Sequence, residues 1–322
     1  MLRAAGTLLV GGLCLAYILW KIDVRQTAHI LGNADLVDVA LAVAITIGAV
    51  FPLTWRWQKL LAARDVHESF WWLTRTSFTS SAIAQVLPTS LGGDATRIFY
   101  TARRHPGAGS AVAGSVLLER VLGGFATLLL AAIGFALAIG RYDVGPYLWV
   151  EAAILAASVA GLFAVFSTRA RTPMAYLARP LRLVRLERPL RTAYQGVHGY
   201  RTHGRLLVWS FVLTTFVQAF RVLAIWLVAR AVGVHLSPRP FYVLGPLLFL
   251  VMIVPFTVNG LALREAFFVS FLGKLHVPAD PAFATGFLFY LLSLASGIPG
   301  AVLLLTGAVP ARRKDMGTEI RT

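Results

Sequence analysis

Cysteine is almost missing from this chain: of 322 residues, only Cys14 is one. A single cysteine forms no internal disulfide, so a disulfide scaffold is excluded and the redox compartment leaves no mark. Charge is sparse too. Charged residues make up 14 % of the chain, where a soluble domain carries about 25 %. Acidic residues are scarcest, 14 against 30 basic ones, and lysine supplies only 4 of those 30. So little charge beside 57 % hydrophobic residues, with a mean hydropathy of +0.72, excludes a soluble globule and a disordered chain. Catalytic signatures are missing as well: there is no Walker loop, no H-E-x-x-H and no G-x-S-x-G. His198 and His203 lie in a basic loop with no carboxylate or thiol beside them. No metal, no cofactor and no enzymatic activity are therefore expected.

What is present is a series of apolar runs. A helix needs about 20 residues to cross the hydrocarbon core. Spans are expected at 4–20, 36–55, 121–139, 147–166, 206–229 and 283–305. The first reads as a retained anchor, since Leu13 is not the small residue a lipoprotein signal needs and no small-x-small site precedes Lys21. Two more stretches are broken. One, 69–91, runs into Pro88 and Gly92-Gly93; the other, 241–258, runs into Pro255 and Asn259-Gly260.

The net charge of +16 fits an anionic membrane surface better than nucleic acid, because the basic residues lie between apolar runs. They also set orientation. The segment 167–205 holds nine arginines and one acid, Glu187, and reads as cytoplasmic. Arg56, Lys59, Arg64 and Arg75, then Arg97, Arg103 and Arg104, mark cytoplasmic segments on both sides of the first broken stretch. Arg312, Arg313 and Lys314 put the C-terminus inside, and counting puts the N-terminus there too. The first broken stretch then enters and leaves from the cytoplasm, the second from outside. The fold expected is an all-α polytopic membrane protein with about six transmembrane helices plus two re-entrant hairpins of opposite orientation, near 69–105 and 241–273. It forms one membrane domain over 1–310 with a short cytoplasmic tail at 311–322. A plain eight-span arrangement stays open. Trp55, Trp57, Trp71 and Trp72 read as an interfacial aromatic belt.

The broken stretches align with each other. Pro88-Thr-Ser-Leu-Gly-Gly-Asp-Ala-Thr-Arg97 lies over Pro255-Phe-Thr-Val-Asn-Gly-Leu-Ala-Leu-Arg264, and seven of ten positions agree in class. Such a repeat is what inverted-repeat transporters show, with broken helices near the midplane whose N-termini face anionic groups. Proline stops each incoming helix, and Gly92-Gly93 or Asn259-Gly260 permits a reversal at positive φ. The exit helices should begin near Asp94 and Leu261. Their first N–H groups, with Arg97 and Arg264 about one turn further in, suit a phosphate. Asp94 also reads as a helix N-terminal acid paired with Arg97 at i,i+3, and Arg264 with Glu265 as an interfacial pair. Glu119-Arg120 interrupts the apolar run 107–139, which is too long for one straight span. Arg221 sits centrally in its span, where an ionisable group is costly, and is expected to serve a site or to pair with Glu119 or Glu265. Two arginines in hydrocarbon need acids nearby. Arg97, Arg264, Asp94, Glu119 and Glu265 are therefore expected in one mixed-charge cluster around a wet central cavity.

Three signatures give the chain a likeness. They are Leu87-Pro88 through Leu91-Gly92-Gly93-Asp94 to Arg97, then Glu119-Arg120-Val121-Leu122-Gly123, then Pro255 through Asn259-Gly260-Leu261 to Arg264-Glu265-Ala266-Phe267. With these the chain resembles the lysylphosphatidylglycerol synthase transmembrane region, a flippase-like integral membrane family. Ala262 stands where glycine is expected and Glu119 where aspartate is common. The resemblance implies the flippase-like part without the aminoacyltransferase domain, since the chain stops 17 residues past the last expected span. It implies a lipid translocator in a bacterial inner membrane. Pro88, Gly92, Gly93 and Arg97 would meet the headgroup from the cytoplasm, and Asn259, Gly260 and Arg264 from outside. Asp94, Glu119 and Glu265 would neutralise these arginines, with Arg120 and Arg221 on the path. The expected partners are membrane lipids, anionic by charge. A pathway enzyme docked on 167–205, with this chain as its non-catalytic subunit, is the alternative. Assembly as a homodimer stays open.

Overall fold

The computed structural model describes residues 24–86, 91–138, 149, 152, 153, 156, 199–252 and 263–307. The span expected at 4–20 lies outside that set, as do all but four residues of the one at 147–166, Pro88, Asn259, Gly260, residues 167–198 and the tail. Among the described residues the secondary structure is all helical. A short helix α1 (Val24–Gly32) precedes α2 (Leu36–Gly48) and α3 (Val50–Ala62). The last two meet at Ala49 and form one 27-residue apolar run. Pro52 falls in the first turn of α3, where its missing N–H costs little. Helices α4 (Phe70–Val86) and α5 (Leu91–Arg104) make the first broken pair, followed by α6 (Gly109–Ala138). Then come α7 (Gly204–Ala231), the second broken pair α8 (Phe241–Val251) and α9 (Leu263–Lys274), and α10 (Ala279–Leu305). Among the described residues four units are long and apolar enough to cross a membrane: α2–α3, α6, α7 and α10.

Two expectations change here. The run 107–139 is not broken at Glu119-Arg120; α6 passes through both as a single helix of 30 residues, about 45 Å long. Its charges are accommodated by partners rather than by a break. Gly92 and Gly93 do not turn the chain at positive φ either. Both already lie inside α5, which is helical from Leu91, ahead of Asp94. Gly93 is small for a packing reason. A Cβ there would stand 2.9 Å from the Ser80 carbonyl oxygen and 3.0 Å from the Ala84 Cβ, so the two arms of the pair could not cross so closely.

The repeat extends well beyond its motif. The long first helices start 168 residues apart, at Leu36 and Gly204; the last ones start 170 apart, at Gly109 and Ala279. The left-handed residues between the helices repeat as well: Asp65 and Gly233 are 168 apart, Gly107 and His276 are 169 apart. At Gly233 the turn is a Schellman cap, with Val234 N–H donating to Ala229 and Gly233 N–H to Arg230.

Packing follows the same exchange. Within each repeat the second arm of the broken pair packs on its own following helix, α5 on α6 and α9 on α10. The first arm packs on the other repeat's helix, α4 on α10 and α8 on α6. A glycine marks each crossing: a Cβ on Gly300 would strike the Phe78 carbonyl, and one on Gly134 the Tyr242 carbonyl. The units α2–α3 and α7 run antiparallel. Asp38 meets Arg230 at one end, and Arg56 meets Thr214 at the other.

The two repeats bury different things. Around α7–α10 the core is apolar, with Ile225, Phe241, Leu244, Leu248, Phe268 and Phe271 all at 0 % exposure. The face of α7 carrying Val208, Val212, Phe216 and Phe220 is exposed instead, as are Ile298, Val302 and Leu305 on α10. Apolar side chains outside and arginines inside are the arrangement of a multi-pass membrane protein.

Candidate functional site

The first repeat gathers charge. Glu119, 6 % exposed in the middle of α6, accepts from Arg56 Nη2 on one oxygen and from Arg97 Nη1 on the other, both at 2.8 Å. Arg97 Nη2 also donates to Asp94 Oδ1 at 2.8 Å, one turn back on α5. The other Asp94 oxygen accepts from Arg120 Nε at 2.5 Å. The result is an alternating chain, Arg56–Glu119–Arg97–Asp94–Arg120, drawn from α3, α5 and α6. Among the described residues three guanidiniums face two carboxylates, which leaves one formal positive charge in excess.

The chain is held on every side. Arg56 donates to the Thr214 hydroxyl on α7, and Thr214 donates to the Ser210 carbonyl at 2.5 Å. Arg56 Nε is buried without a partner. The Arg97 guanidinium lies over the Trp57 ring, 4.9 Å from its centre, and Trp57 Nε1 donates to Ser115 Oγ at 3.0 Å. Ring and ion pairs together fix the Arg97 fork in one direction.

Beside the fork lies a cavity of about 220 Å³ between α3, α4 and α5. Asp94 and Arg97 line it, with Gly93 behind them and Thr54, Ser77, Ser80 and Ser81 opposite. Thr54 donates to Ser77 Oγ at 3.3 Å, and Ser80 Oγ is buried without a partner. An excess of guanidinium beside hydroxyl groups is a setting for an oxyanion, since each Arg presents N–H groups in a fork matched to phosphate oxygens. Among the described residues there is no group of three His, Cys, Asp or Glu side chains that could hold a metal ion.

The second repeat is built differently. Arg264 is at 0 % exposure, and both of its hydrogen bonds go to Glu265 Oε1, from Nη2 at 2.6 Å and from Nε at 3.1 Å. Its guanidinium lies 4.7 Å from the centre of the Tyr290 ring on α10. The single cluster expected of Arg97, Arg264 and three acids is thus two separate groups: Glu265 stays with Arg264, while Asp94 and Glu119 stay with Arg97. Arg221 pairs with neither Glu119 nor Glu265. It donates to Gln218 Oε1 at 3.2 Å and lies 5.3 Å from the centre of the Phe249 ring.

The site also contains two residues that read as something else in the sequence. Arg56 reads as a topology marker, yet it is 4 % exposed and anchors the ion-pair chain. Trp57 reads as an interfacial anchor, yet it is fully buried under Arg97. Trp55 and Trp71, at 45 % and 66 % exposure, do face outward. The one signal that separates them is periodicity: Arg56 and Trp57 lie on the face of α3 that holds the buried Leu60 and Leu61.

No curated protein matches the chain in a direct comparison of sequences. Residues 4–300 match the family described as the lysylphosphatidylglycerol synthase TM region, which takes in both repeats and the whole ion-pair chain, and the protein belongs to that family.

Proposed function

We propose that this protein is a lipid translocator. It moves a polar-headed lipid carrying phosphate, anionic or aminoacylated or glycosylated, between leaflets without ATP hydrolysis and without changing it covalently. The observation that carries this reading is the Arg97 fork at the wall of a hydroxyl-lined cavity, held in a chain with one more arginine than acids. An entering phosphate displaces a carboxylate as partner of Arg97, so the guanidinium stays paired throughout and the barrier to headgroup passage falls. Membership in a family of lipid-synthase membrane regions supports a lipid as the cargo. In this reading the broken pairs α4–α5 and α8–α9 are re-entrant hairpins of opposite orientation, supported by the antiparallel first helices of the two repeats. There are six spans, both termini are cytoplasmic, and the membrane is a bacterial inner membrane. The test is reconstitution in vesicles with fluorescent phosphatidylglycerol and a membrane-impermeant quencher. Wild type is expected to equilibrate the leaflets and Arg97→Ala to do so at least tenfold more slowly. Equal rates in both, or none in wild type, overturn the reading.

A further inference from the structure

We propose that the second repeat has its own anion station, built on Arg221 rather than on Arg264, which takes the phosphate group of a lipid after it leaves the Arg97 cavity. The proposal rests on the translocator reading and adds where the second half of the path lies.

A second polar cavity, about 160 Å³, is lined by Arg221 together with Thr46, Gln85, Phe249, Ser293 and Ser296. Two of its lining residues, on α7 and α8, correspond by the repeat to residues of the first, and the rest of its wall comes from α2, α4 and α10. Moving back by the repeat distance of 168 residues carries Arg221 to Leu53 and Phe249 to Ser81, and both of those line the Arg97 cavity. The arginine has changed element between the two halves: α5 supplies it in the first, α7 in the second.

Arg221 is the available cation and Arg264 is not. Arg264 is fully buried, bonded to Glu265 and covered by Tyr290. Arg221 keeps accessible surface, and its one hydrogen bond goes to a neutral amide, Gln218. Among the described residues no carboxylate pairs with it. A guanidinium near the middle of a 28-residue apolar helix with only neutral neighbours lacks a counter-charge, and an anionic ligand supplies one. A cavity of this size holds about five waters, room for a phosphodiester and not for a whole lipid.

A polar track joins the two stations. Thr214, Gln218 and Arg221 lie at i, i+4 and i+7 on one face of α7. Thr214 takes the hydrogen bond from Arg56, Gln218 Nε2 donates to Thr127 on α6 at 3.2 Å, and Gln218 Oε1 accepts from Arg221. From Thr214 to Arg221 is seven residues, about 10 Å along the helix. Hydrogen bonds along this face of α7 thus link the ion-pair chain to Arg221.

The experiment uses Ser293→Cys in a Cys14→Ser background, purified in detergent, with a small polar thiol reagent. Short-chain phosphatidylglycerol is expected to slow labelling at least fivefold, inorganic phosphate at the same concentration less than twofold. Adding Arg221→Gln is expected to abolish the protection, and Arg221→Lys to keep part of it. The Gln variant's elution as a single species, like its parent, shows that it has folded; if it has not, the Lys variant and the two ligands decide alone. Lack of protection by the lipid overturns the station whether or not vesicles equilibrate. Equal protection by inorganic phosphate overturns the lipid as its ligand. Protection without leaflet exchange leaves the station standing and overturns the translocator reading instead.

Discussion

Arg97 and Arg264 occupy matching places in the two repeats, yet one lines a cavity and the other is sealed in the core. The difference lies in what the following long helix offers. For Arg97 it is the Glu119 carboxylate of α6, shared with Arg56; for Arg264 it is the face of Tyr290 on α10. A carboxylate that binds two arginines leaves each with N–H groups to spare. Arg264 keeps an unpartnered Nη1 as well, but at 0 % exposure, with Glu265 beside it and Tyr290 over it, that group is sealed off. The chain has kept a repeated backbone and specialised its halves, one for charge and one for apolar packing.

Glu119→Gln removes the charge that holds Arg56 and Arg97 together. Arg56 is left buried with a neutral partner, and loss of one member of such a pair costs about 3–5 kcal/mol. The thermal midpoint in detergent is expected to fall well below that of wild type. Removing Arg56 as well, in Arg56→Gln/Glu119→Gln, relieves the stranded charge and is expected to recover part of the loss. A double variant as unstable as the sum of the two single ones shows that Arg56 and Glu119 are not coupled.

Gly93→Ala tests the close crossing of α4 and α5. The added methyl meets the Ser80 carbonyl at 2.9 Å, and backbone yields poorly, so about 1–3 kcal/mol of stability is lost. Gly124→Ala on α6 is the control, because a Cβ there meets nothing within 4 Å. It is expected to leave the thermal midpoint unchanged or slightly raised. A Gly93→Ala variant as stable as the control contradicts the packing role of this glycine.

The helical class, four of the six expected long helices and the repeat were legible in the sequence, because each depends on local signals: apolar run length, proline, and a motif read twice. Asp94 with Arg97 was legible for the same reason, since i,i+3 is a local relation. Of the partners that come from other helices, only Glu119 beside Arg97 was legible, as part of the expected charge cluster. Nothing along the chain tells that Arg56 reaches Glu119, 63 residues away, or that Trp57 lies under Arg97. Arginine near a helix end serves topology in most membrane helices, and only the three-dimensional crossing of α3 and α6 gives this one another use. The separation of Arg264 from the rest was hidden for the opposite reason: matching motifs suggested matching roles.

Trp57→Leu keeps the position apolar while removing the ring beneath Arg97 and the donor to Ser115. A cation over a ring away from water contributes about 2 kcal/mol, and the hydrogen bond about 1. The expected outcome is a moderately lower thermal midpoint and slower lipid equilibration, because Arg97 no longer has one direction. Trp57→Phe keeps a ring and is expected to fall between wild type and the Leu variant. Identical equilibration rates in all three proteins show that the ring does not orient the fork.

The orientation of the two broken pairs is open to a direct chemical check, with Cys14 first replaced by serine. Thr96 on α5 and Leu263 at the start of α9 are both partly exposed, and they lie in the two pairs at nearly matching places, 167 residues apart. If α4–α5 enters from the cytoplasm and α8–α9 from outside, Thr96→Cys and Leu263→Cys are labelled by impermeant thiol reagents from opposite faces of sealed vesicles. A Thr96→Cys side chain replaces a hydroxyl that donates to the Gly92 carbonyl, a hydrogen bond within one turn, so the backbone path is unaffected. Reversing vesicle orientation should exchange the two results. Labelling of both from the same face, or of neither, contradicts the oppositely entering pairs, and α4, α5, α8 and α9 must then be counted again as parts of complete spans. The outcome also bears on the ion-pair chain. Arg97 sits one residue beyond Thr96 on α5, so the face from which Thr96→Cys is reached is the face from which a lipid phosphate first meets the Arg97 fork.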